Sequence, residues 1–235
     1  RLAGVIITIE DPVEFVFSNA RSIIKQREVG NDTRSFSEAL RHALRQDPDV
    51  ILVGEMRDPE TISATITAAE TGHLVLTTVH AGDCVRTIER LVSVFPADEQ
   101  VGVRRQLALV LRWVIAQQLL IADGPKVAKE GGAAGILSRR RVVASEVLRN
   151  TGAVANLIAT AKSSQIVSAI ESGASLGMQT IEQDLARLWV QGYITETTAQ
   201  TLSRNPNTMR ERAQMLRQRP SDAGAPHRAA VGGSR

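Results

Sequence analysis

The sequence predicts an α/β fold in which a parallel β-sheet is followed by an all-helical C-terminal region. Two observations carry this prediction. In the first half of the 235-residue chain, short runs of β-branched and aliphatic residues alternate with segments that carry helix start signals. This alternation is typical of a parallel sheet with helical crossovers. After about residue 152 the pattern indicates helices only.

The predicted strands are short and apolar. They cover residues 5–9, Val50–Val53 and residues 74–79. Continuous apolar runs of this length are typical of buried strands in parallel sheets. Residues 15–29 alternate only weakly, so they predict a short hairpin or a loop at the edge of the sheet.

The predicted helices of the first half have recognisable start signals. Residues 35–46 open on a serine with a glutamate three residues later, which is a capping box. Residues 58–71 open on Asp-Pro-Glu, with the cap, the proline and the first-turn acid in the preferred order. A third helix is predicted after Asp83, and a long fourth helix over residues 99–119.

The second half of the chain has a different character. Residues 124–141 are rich in Gly, Ala, Lys and Arg and predict an exposed hairpin loop. Five helices follow, near residues 152–161, 163–172, 178–191, 195–203 and 206–218.

These patterns predict three parts of the chain. Residues 1–150 form an α/β core and residues 151–219 a helical subdomain. Residues 220–235 are rich in Pro, Gly, Ala, Ser and Arg without any period, so they predict a disordered tail.

The composition excludes several classes of protein. With 43% hydrophobic and 23% charged residues the chain can bury a core, and no run approaches the roughly 20 apolar residues of a membrane span. A net charge of +3 and an aromatic content of 3% argue against a nucleic-acid partner. The single cysteine, Cys84, excludes an internal disulfide and a four-cysteine zinc site, and indicates a cytoplasmic location. We expect Cys84 to be an inert small residue.

The start of the chain is unusual. It begins at Arg1 and enters a core strand at residue 5 without a lead-in. We therefore expect the chain to be a fragment whose N-terminal part is absent.

Three clusters of acidic residues or histidines lie at the ends of the predicted strands. EDPVE occupies residues 10–14, GEMRD occupies residues 54–58, and His73 and His80 bracket the third strand. A carboxylate at the end of a rigid strand can bind Mg²⁺ beside a phosphate. One such cluster is more often a turn, whereas three on consecutive strands favour a ligand site at one sheet edge.

The cationic candidates also have simpler explanations. The two histidines are seven residues apart, which does not suit a shared metal, and each can be an ordinary turn residue. Arg41, Arg45 and Arg57 have the planar fork that binds phosphate, although isolated arginines on a helix more often form surface ion pairs.

These segments resemble the motifs of the type II and type IV secretion and pilus ATPases. TIEDPVEF at residues 8–15 resembles the Asp box, DPDVILVGEMRD at 47–58 the atypical Walker B motif, and the stretch at 71–80 the His box. QREV at 26–29, EALR at 38–41 and SLGMQT at 175–180 are similar to PilT-like type IV pilus retraction (twitching motility) ATPases. The likeness runs from about residue 3 to residue 217.

The resemblance implies an α/β, RecA-like P-loop NTPase core, incomplete because its N-terminal part is missing, that works in a hexameric ring. It implies that Glu14 is the general base and that Glu55 acts on Mg²⁺ through water. His73 and His80 become the His-box histidines, with His80 a sensor of the γ-phosphate.

Further site residues complete the implied ATP site. Glu10, Asp11 and Arg57 are expected to bind the nucleotide. Arg41 and Arg45 are expected to complete the site, either within their own subunit or in the site of a neighbouring subunit. The implied function is ATP hydrolysis that drives pilus retraction from the cytoplasmic face of the inner membrane, with a membrane platform protein as partner.

The sequence departs from the family pattern in three places. The phosphate-binding loop G-x-x-x-x-G-K-[ST] is expected upstream of the Asp box and does not occur in these residues, so the chain alone is expected to be inactive. The segment associated with retraction lacks its arginines and glutamate at residues 153–160, and residues 124–141 resemble an insertion. Pilus assembly, type II secretion and a non-catalytic ring subunit therefore remain alternatives.

Overall fold

A computed structural model of the protein describes residues 3–130 and 140–218. The predicted tail at 220–235 lies outside the described residues. The strands are β1 (Val5–Glu10), β2 (Ile23–Glu28), β3 (Val50–Val53), β4 (Leu74–Thr77), β5 (Trp113–Ile121) and β6 (Arg141–Arg149). The helices of the first part of the chain are α1 (Phe36–Ala43), α2 (Pro59–Glu70), α3 (Cys84–Ser93), α4 (Gln100–Val110) and α5 (Pro125–Glu130). Those of the last part are α6 (Gly152–Ala159), α7 (Ile166–Ser172), α8 (Ile181–Val190), α9 (Glu196–Leu202) and α10 (Pro206–Gln218).

The four strands β1 to β4 form a parallel sheet in the order β2-β1-β3-β4. Val50 of β3 pairs with Ile6 of β1 on one side and with Leu74 of β4 on the other. The predicted parallel sheet is confirmed, with α1 connecting β2 to β3 and α2 connecting β3 to β4. Because all four strands run the same way, their carboxyl ends meet at one edge.

The hairpin or loop predicted over residues 15–29 is wrong for its second half. That half forms β2, an edge strand parallel to β1, and the hydrogen bonds from Ile23 N to Gly4 O and from Val29 N to Glu10 O extend the pairing at both ends. A parallel partner is set by the sheet and not by a local turn, so the weak alternation of this segment could not reveal it.

The three predicted helix starts are confirmed. The side chain of Ser35 accepts a hydrogen bond from the Glu38 amide at 3.2 Å. Asp58 and Asp83 cap α2 and α3 in the same way, with N–H donors at 2.8 and 2.7 Å. These caps satisfy orphan amides of the first turn from within the same segment, so the sequence alone contains the signal.

The long helix predicted over residues 99–119 is wrong beyond Val110, because α4 (Gln100–Val110) ends there and the strand β5 begins at Trp113. The side-chain amide of Asn150 donates to the carbonyls of Ala108 and Leu111, both at 2.9 Å, and so satisfies the last turn of α4. Along β5 buried and exposed side chains alternate, which is the period of a strand. A residue about 40 positions away therefore ends the helix.

The described residues form two compact units. The first takes in the chain up to Gln118 together with Ser145–Thr180, and the second Leu119–Ala144 together with the chain from Ile181. Neither unit is one continuous segment. The functional division into a core over 1–150 and a helical subdomain over 151–219 stays a prediction.

The core of the first unit is aliphatic and is built from side chains of the strands and of the helices. Its fully buried side chains include Ile9, Leu40, Ile51, Ile62, Ile88, Leu148, Ile158, Ile166 and Ile170. The strands β1 and β3 lie in the middle of the sheet and are the most buried. Each of them is hydrogen-bonded to a strand on both sides.

Cys84 lies at the start of α3 and is fully buried. Its amide donates to a carboxylate oxygen of Glu146 at 2.9 Å. Burial, together with the charge of Glu146, raises the pKa of the Cys84 thiol to about 12, so the thiol stays protonated at neutral pH. Burial and the raised pKa both support the prediction that Cys84 is an inert residue.

A charged network joins α3, α4 and the residues before α7. Arg104 forms a two-pronged ion pair with Glu89, at 2.9 and 2.5 Å, and the Ser163 hydroxyl donates to the same carboxylate. The hydrogen bond from Arg104, opposed by burial and aided by the one from Ser163, lowers the pKa of Glu89 below its ordinary value of 4.5.

In the second unit the segment before α5 packs against the turn between α8 and α9. Asp123 accepts three hydrogen bonds from Thr195 and Thr198. Burial raises the pKa of Asp123, but these bonds lower it by more. The exposed loop predicted over 124–141 is wrong where α5 forms, and residues 131–139 lie outside the described part.

The helices of the described residues are short. The longest of them, α10, has 13 residues, and no helix within 3–130 or 140–218 has the length and hydrophobicity needed to cross a bilayer.

We expect Glu89→Gln to lower the free energy of unfolding by about 1–2 kcal/mol at pH 7, because it leaves largely buried Arg104 without its charged partner. Since the pKa of Glu89 is lowered on folding, the loss should be full above pH 4.5 and shrink as the pH falls below it. Urea unfolding at several pH values measures this. Glu70→Gln, an exposed glutamate on α2, is the control; equal losses for both variants would contradict the role of the network.

We expect Gly124→Ala to lower the free energy of unfolding by about 1–3 kcal/mol, because a Cβ there would collide with the main chain of Gly192 and Tyr193. Gly102→Ala is the matched control. Gly102 lies on an exposed part of α4 with nothing within 4 Å, so alanine should stabilise the helix by about 0.5–1 kcal/mol. Calorimetry of both variants measures their melting temperatures. If the two melting temperatures shifted in the same direction, the result would be inconsistent with close packing at Gly124.

Candidate functional site

Three of the sequence-predicted segments meet at the carboxyl edge of the parallel sheet. Glu10 is the last residue of β1, Glu55 follows β3 by two residues and His80 follows β4 by three. Because β1, β3 and β4 are neighbours, these short extensions run side by side. The edge therefore gathers the acidic residues and one histidine that the sequence singled out.

The carboxylate of Glu55 is the centre of this edge. Its Oε2 lies 2.7 Å from Nε of Arg57 and 3.4 Å from Nε2 of His80. The Glu55 side chain is only 15% exposed, whereas those of Arg57 and His80 are 68% and 73% exposed. A nearly buried acid thus contacts two groups that extend into solvent, where they can meet an anionic ligand.

Gly54 lets β3 approach β1 closely in front of this carboxylate. Its amide donates to Ile9 O at 2.8 Å, and the Thr78 hydroxyl donates to its carbonyl. A Cβ on Gly54 would lie 3.2 Å from Ile9 O and 3.4 Å from the Cα of Glu10, which is tighter than most such contacts. The glycine before Glu55 therefore has a packing reason.

Glu10 is buried and hydrogen-bonded. Its Oε1 accepts from the Thr8 hydroxyl at 2.6 Å and from the side-chain amide of Gln26 at 3.0 Å. A buried carboxylate must be satisfied by such donors. These two contacts hold Glu10 in one place beside Gly54.

Glu14 and Asp11 lie in the exposed segment that continues from β1. The Asp11–Pro12 peptide bond is cis. The carboxylate of Glu14 forms no hydrogen bond or ion pair with any residue in the described ranges 3–130 and 140–218. It is therefore open to solvent, in contrast to Glu10 and Glu55.

His73 does not join this edge. It precedes β4, and its Nδ1 lies 3.0 Å from both the Thr71 hydroxyl and the Ala68 carbonyl at the end of α2. His80 follows the same strand. The two histidines are therefore at opposite ends of β4, and only His80 contacts Glu55.

Arg41 and Arg45 lie on α1, away from Glu55. With Ser37 and Glu60 they line an open groove between α1 and α2, and Nε of Arg41 donates to Ser37 O at 3.3 Å. Within the described part of this chain neither arginine contacts Glu55. The structure does not bring these arginines into the edge cluster of their own chain.

Two residues at the edge were missed by the sequence reasoning. Thr78 holds the carbonyl of Gly54, and Arg90 donates from Nη1 to the His80 carbonyl at 2.8 Å. Both interactions use main-chain carbonyls as partners. No side-chain pattern in the sequence signals such contacts, so neither residue could have been selected.

The edge suits a hard cation that keeps most of its water. Glu10 and Glu55 offer carboxylate oxygens, which Mg²⁺ prefers. Within residues 3–130 and 140–218 no group of three or more His, Cys, Asp and Glu side chains forms a metal site on its own. This donor set fits Mg²⁺ shared with nucleotide phosphates and water.

Comparison with known families gives a match over most of the chain. A sequence profile of the family described as "Type II/IV secretion system protein" matches residues 3–211.

Two curated relatives are similar over nearly the same range. The type IV pilus retraction ATPase PilT of Pseudomonas aeruginosa is 48% identical over 201 residues, which cover 86% of this chain and 54% of PilT. A twitching motility protein of Neisseria gonorrhoeae is 47% identical over 205 residues, 87% of this chain and 51% of that protein. The chain spans about half the length of these relatives.

A solved structure has the same fold. The crystal structure of the pilus retraction motor PilT with bound ADP superimposes with a TM-score of 0.75 at 44% sequence identity, covering 89% of this chain and 55% of that one. The parallel sheet described above is thus that of the RecA-like secretion ATPases, as the resemblance implied. On its sequence and its fold, the chain belongs to the type II/IV secretion system protein family.

Proposed function

We propose that the whole protein is an ATPase that drives type IV pilus retraction and twitching motility as a hexameric ring. The observation that carries the proposal is the contact of Glu55 with His80 and Arg57 at the carboxyl edge of the sheet. This edge is where nucleotides bind in open α/β folds. The names of the two relatives, a retraction ATPase and a twitching motility protein, support the direction of the motor.

Glu14 is the general base in this proposal. A base must accept a proton from the attacking water, and a carboxylate already held by donors does so poorly. Glu10 and Glu55 are both held, whereas Glu14 is exposed and has no partner among the described residues. This difference supports assigning the proton transfer to Glu14.

Glu55 holds Mg²⁺ through water, and Glu10, Asp11 and Arg57 contact the nucleotide. When bound, Mg²⁺ neutralises charge on the phosphate oxygens. His80 senses the γ-phosphate from its exposed position beside Glu55. His73 is assigned to the site only through the motif, since its contacts lie at the other end of β4.

Arg41 and Arg45 act on the ATP site of a neighbouring subunit. An arginine supplied from outside a phosphate site stabilises the charge of the transition state. Their exposure in the groove beside α2 supports this assignment, because within their own chain they do not reach Glu55.

The ring works at the cytoplasmic face of the inner membrane and passes its motion to a platform protein. The proposal requires a phosphate-binding loop, G-x-x-x-x-G-K-[ST], which these 235 residues do not contain. The alternatives are pilus assembly or type II secretion, and a non-catalytic ring subunit without the loop. Reading the gene upstream of Arg1 separates the last of these, since an encoded loop supports the enzyme.

In the intact protein, Glu14→Gln should lower ATP hydrolysis at least about 100-fold while ATP still binds, because the amide keeps the shape of glutamate but cannot accept the proton. Phosphate release and fluorescent-nucleotide binding measure the two effects. Glu70→Gln is the control and should hydrolyse ATP normally. Turnover close to wild type in Glu14→Gln would refute the assignment of the base.

Deleting the gene in its host should give cells that do not twitch and carry excess pili, because pili are then extended but not withdrawn. Twitching on agar and electron microscopy of the cell surface score the two phenotypes, and complementation with the wild-type gene is the control. Cells without pili would instead support an assembly motor, and unchanged pili and motility would contradict both.

A further inference from the structure

We propose that Gln26 and Glu28 of the edge strand β2 are positioning residues that hold the chain on both sides of Glu14. This inference rests on the proposed function, because it assigns these residues to the geometry of the proposed base. Both belong to the QREV segment, of which the site described above uses only the hydrogen bond from Gln26 to Glu10.

Gln26 holds the chain after Glu14. Its Oε1 accepts a hydrogen bond from the Phe17 amide at 2.8 Å, and its Nε2 donates to the Phe15 carbonyl at 2.8 Å. One side-chain amide thus forms a two-point contact with the main chain one and three residues beyond Glu14.

Glu28 holds the chain before Glu14. Its Oε2 accepts from the Val13 amide at 3.0 Å. Residues two apart on a strand point to the same face, so Gln26 and Glu28 reach the loop together. Hydrogen bonds thus hold the main chain at residues 13, 15 and 17, and Glu14 lies between these positions.

Among the described residues, packing contributes little to holding this loop. Phe15, Val16 and Phe17 are 75%, 89% and 51% exposed, so little apolar burial opposes its motion. Each hydrogen bond from residues 11–17 to other described residues ends on Gln26 or Glu28. The hydrogen bonds of these two side chains therefore restrain residues 11–17, which lack the apolar burial that restrains the strands of the core.

A glutamine at position 26 can both donate and accept hydrogen bonds, which holding this loop requires. Its Nε2 donates to Glu10 as well as to the Phe15 carbonyl, so one amide connects the loop to the buried acid of the site. A glutamate here would lose both donations and place a second charge beside Glu10. Glu28 is itself fixed, because Asn31 donates to its other oxygen.

The functional test compares Gln26→Ala and Glu28→Ala in the intact protein. Each should lower kcat for ATP hydrolysis by about 10–100-fold, the effect expected when a reacting group is displaced by roughly 1 Å, with nucleotide affinity changed less than about twofold. Glu28→Gln keeps an oxygen for the Val13 amide and should retain most of the activity. Glu28 pairs with Glu10 in the strand register, but its carboxylate is hydrogen-bonded to Val13 and Asn31 and not to the Glu10 side chain. Its effect therefore separates the loop from the hydrogen bonds of the Glu10 carboxylate.

Asn19→Ala is the matched control. The Asn19 side chain accepts a hydrogen bond from the Ile24 amide at 2.7 Å in the same exposed segment but does not flank Glu14. It should leave kcat unchanged.

Hydrogen exchange of single amides tests the restraint without any turnover. Gln26→Ala should speed exchange at Phe17, Glu28→Ala at Val13, and Asn19→Ala at Ile24 only. If the wild-type protein does not hydrolyse ATP, the ATPase proposal fails, and protected Phe17 and Val13 amides in the variants would overturn the positioning proposal separately. Faster exchange with an unchanged kcat, or an equal loss of affinity and kcat, would also overturn it.

Discussion

Gly54 N donates to Ile9 O, and this hydrogen bond continues the β1–β3 pairing past its last paired residues. The site depends on this close approach, because it sets the start of the Glu55 segment directly beside Glu10. A glycine favours this approach, since a Cβ would lie 3.2 Å from Ile9 O and press on the main chain of β1. The two central strands β1 and β3 thus determine where Glu10 and Glu55 lie. The more exposed groups lie beside these two carboxylates.

The groups at the sheet edge differ in how firmly they are held. Glu10 and Glu55 are mostly buried and engaged by neighbours, whereas His80 and Glu14 extend into solvent. Fixed carboxylates suit the binding of a cation, and exposed groups suit contact with a ligand that arrives and leaves. An exposed base needs an external restraint to act at a defined position, and β2 offers hydrogen-bonding side chains next to it.

Local signals in the sequence predicted local structure well. The caps at Ser35, Asp58 and Asp83 satisfy amides three residues away, so each helix start was visible in a short window. The edge strand β2 and the strand β5 were missed because distant partners decide them. Pairing with β1 makes β2 a strand, and the Asn150 amide ends α4 before β5. The spacing of apolar residues within a short segment depends on neither of these distant partners.

The sequence by itself determined the fold class, the family and the segments that carry the candidate site, because motif residues and helix caps act over a few positions. The tertiary structure decided which of these residues meet. It brought His80 and Arg57 to Glu55, left His73 at the opposite end of β4 and Arg41 on a separate groove. The physical reason is that a parallel sheet separates the two ends of every strand, and spacing along the chain does not reveal which end a side chain occupies.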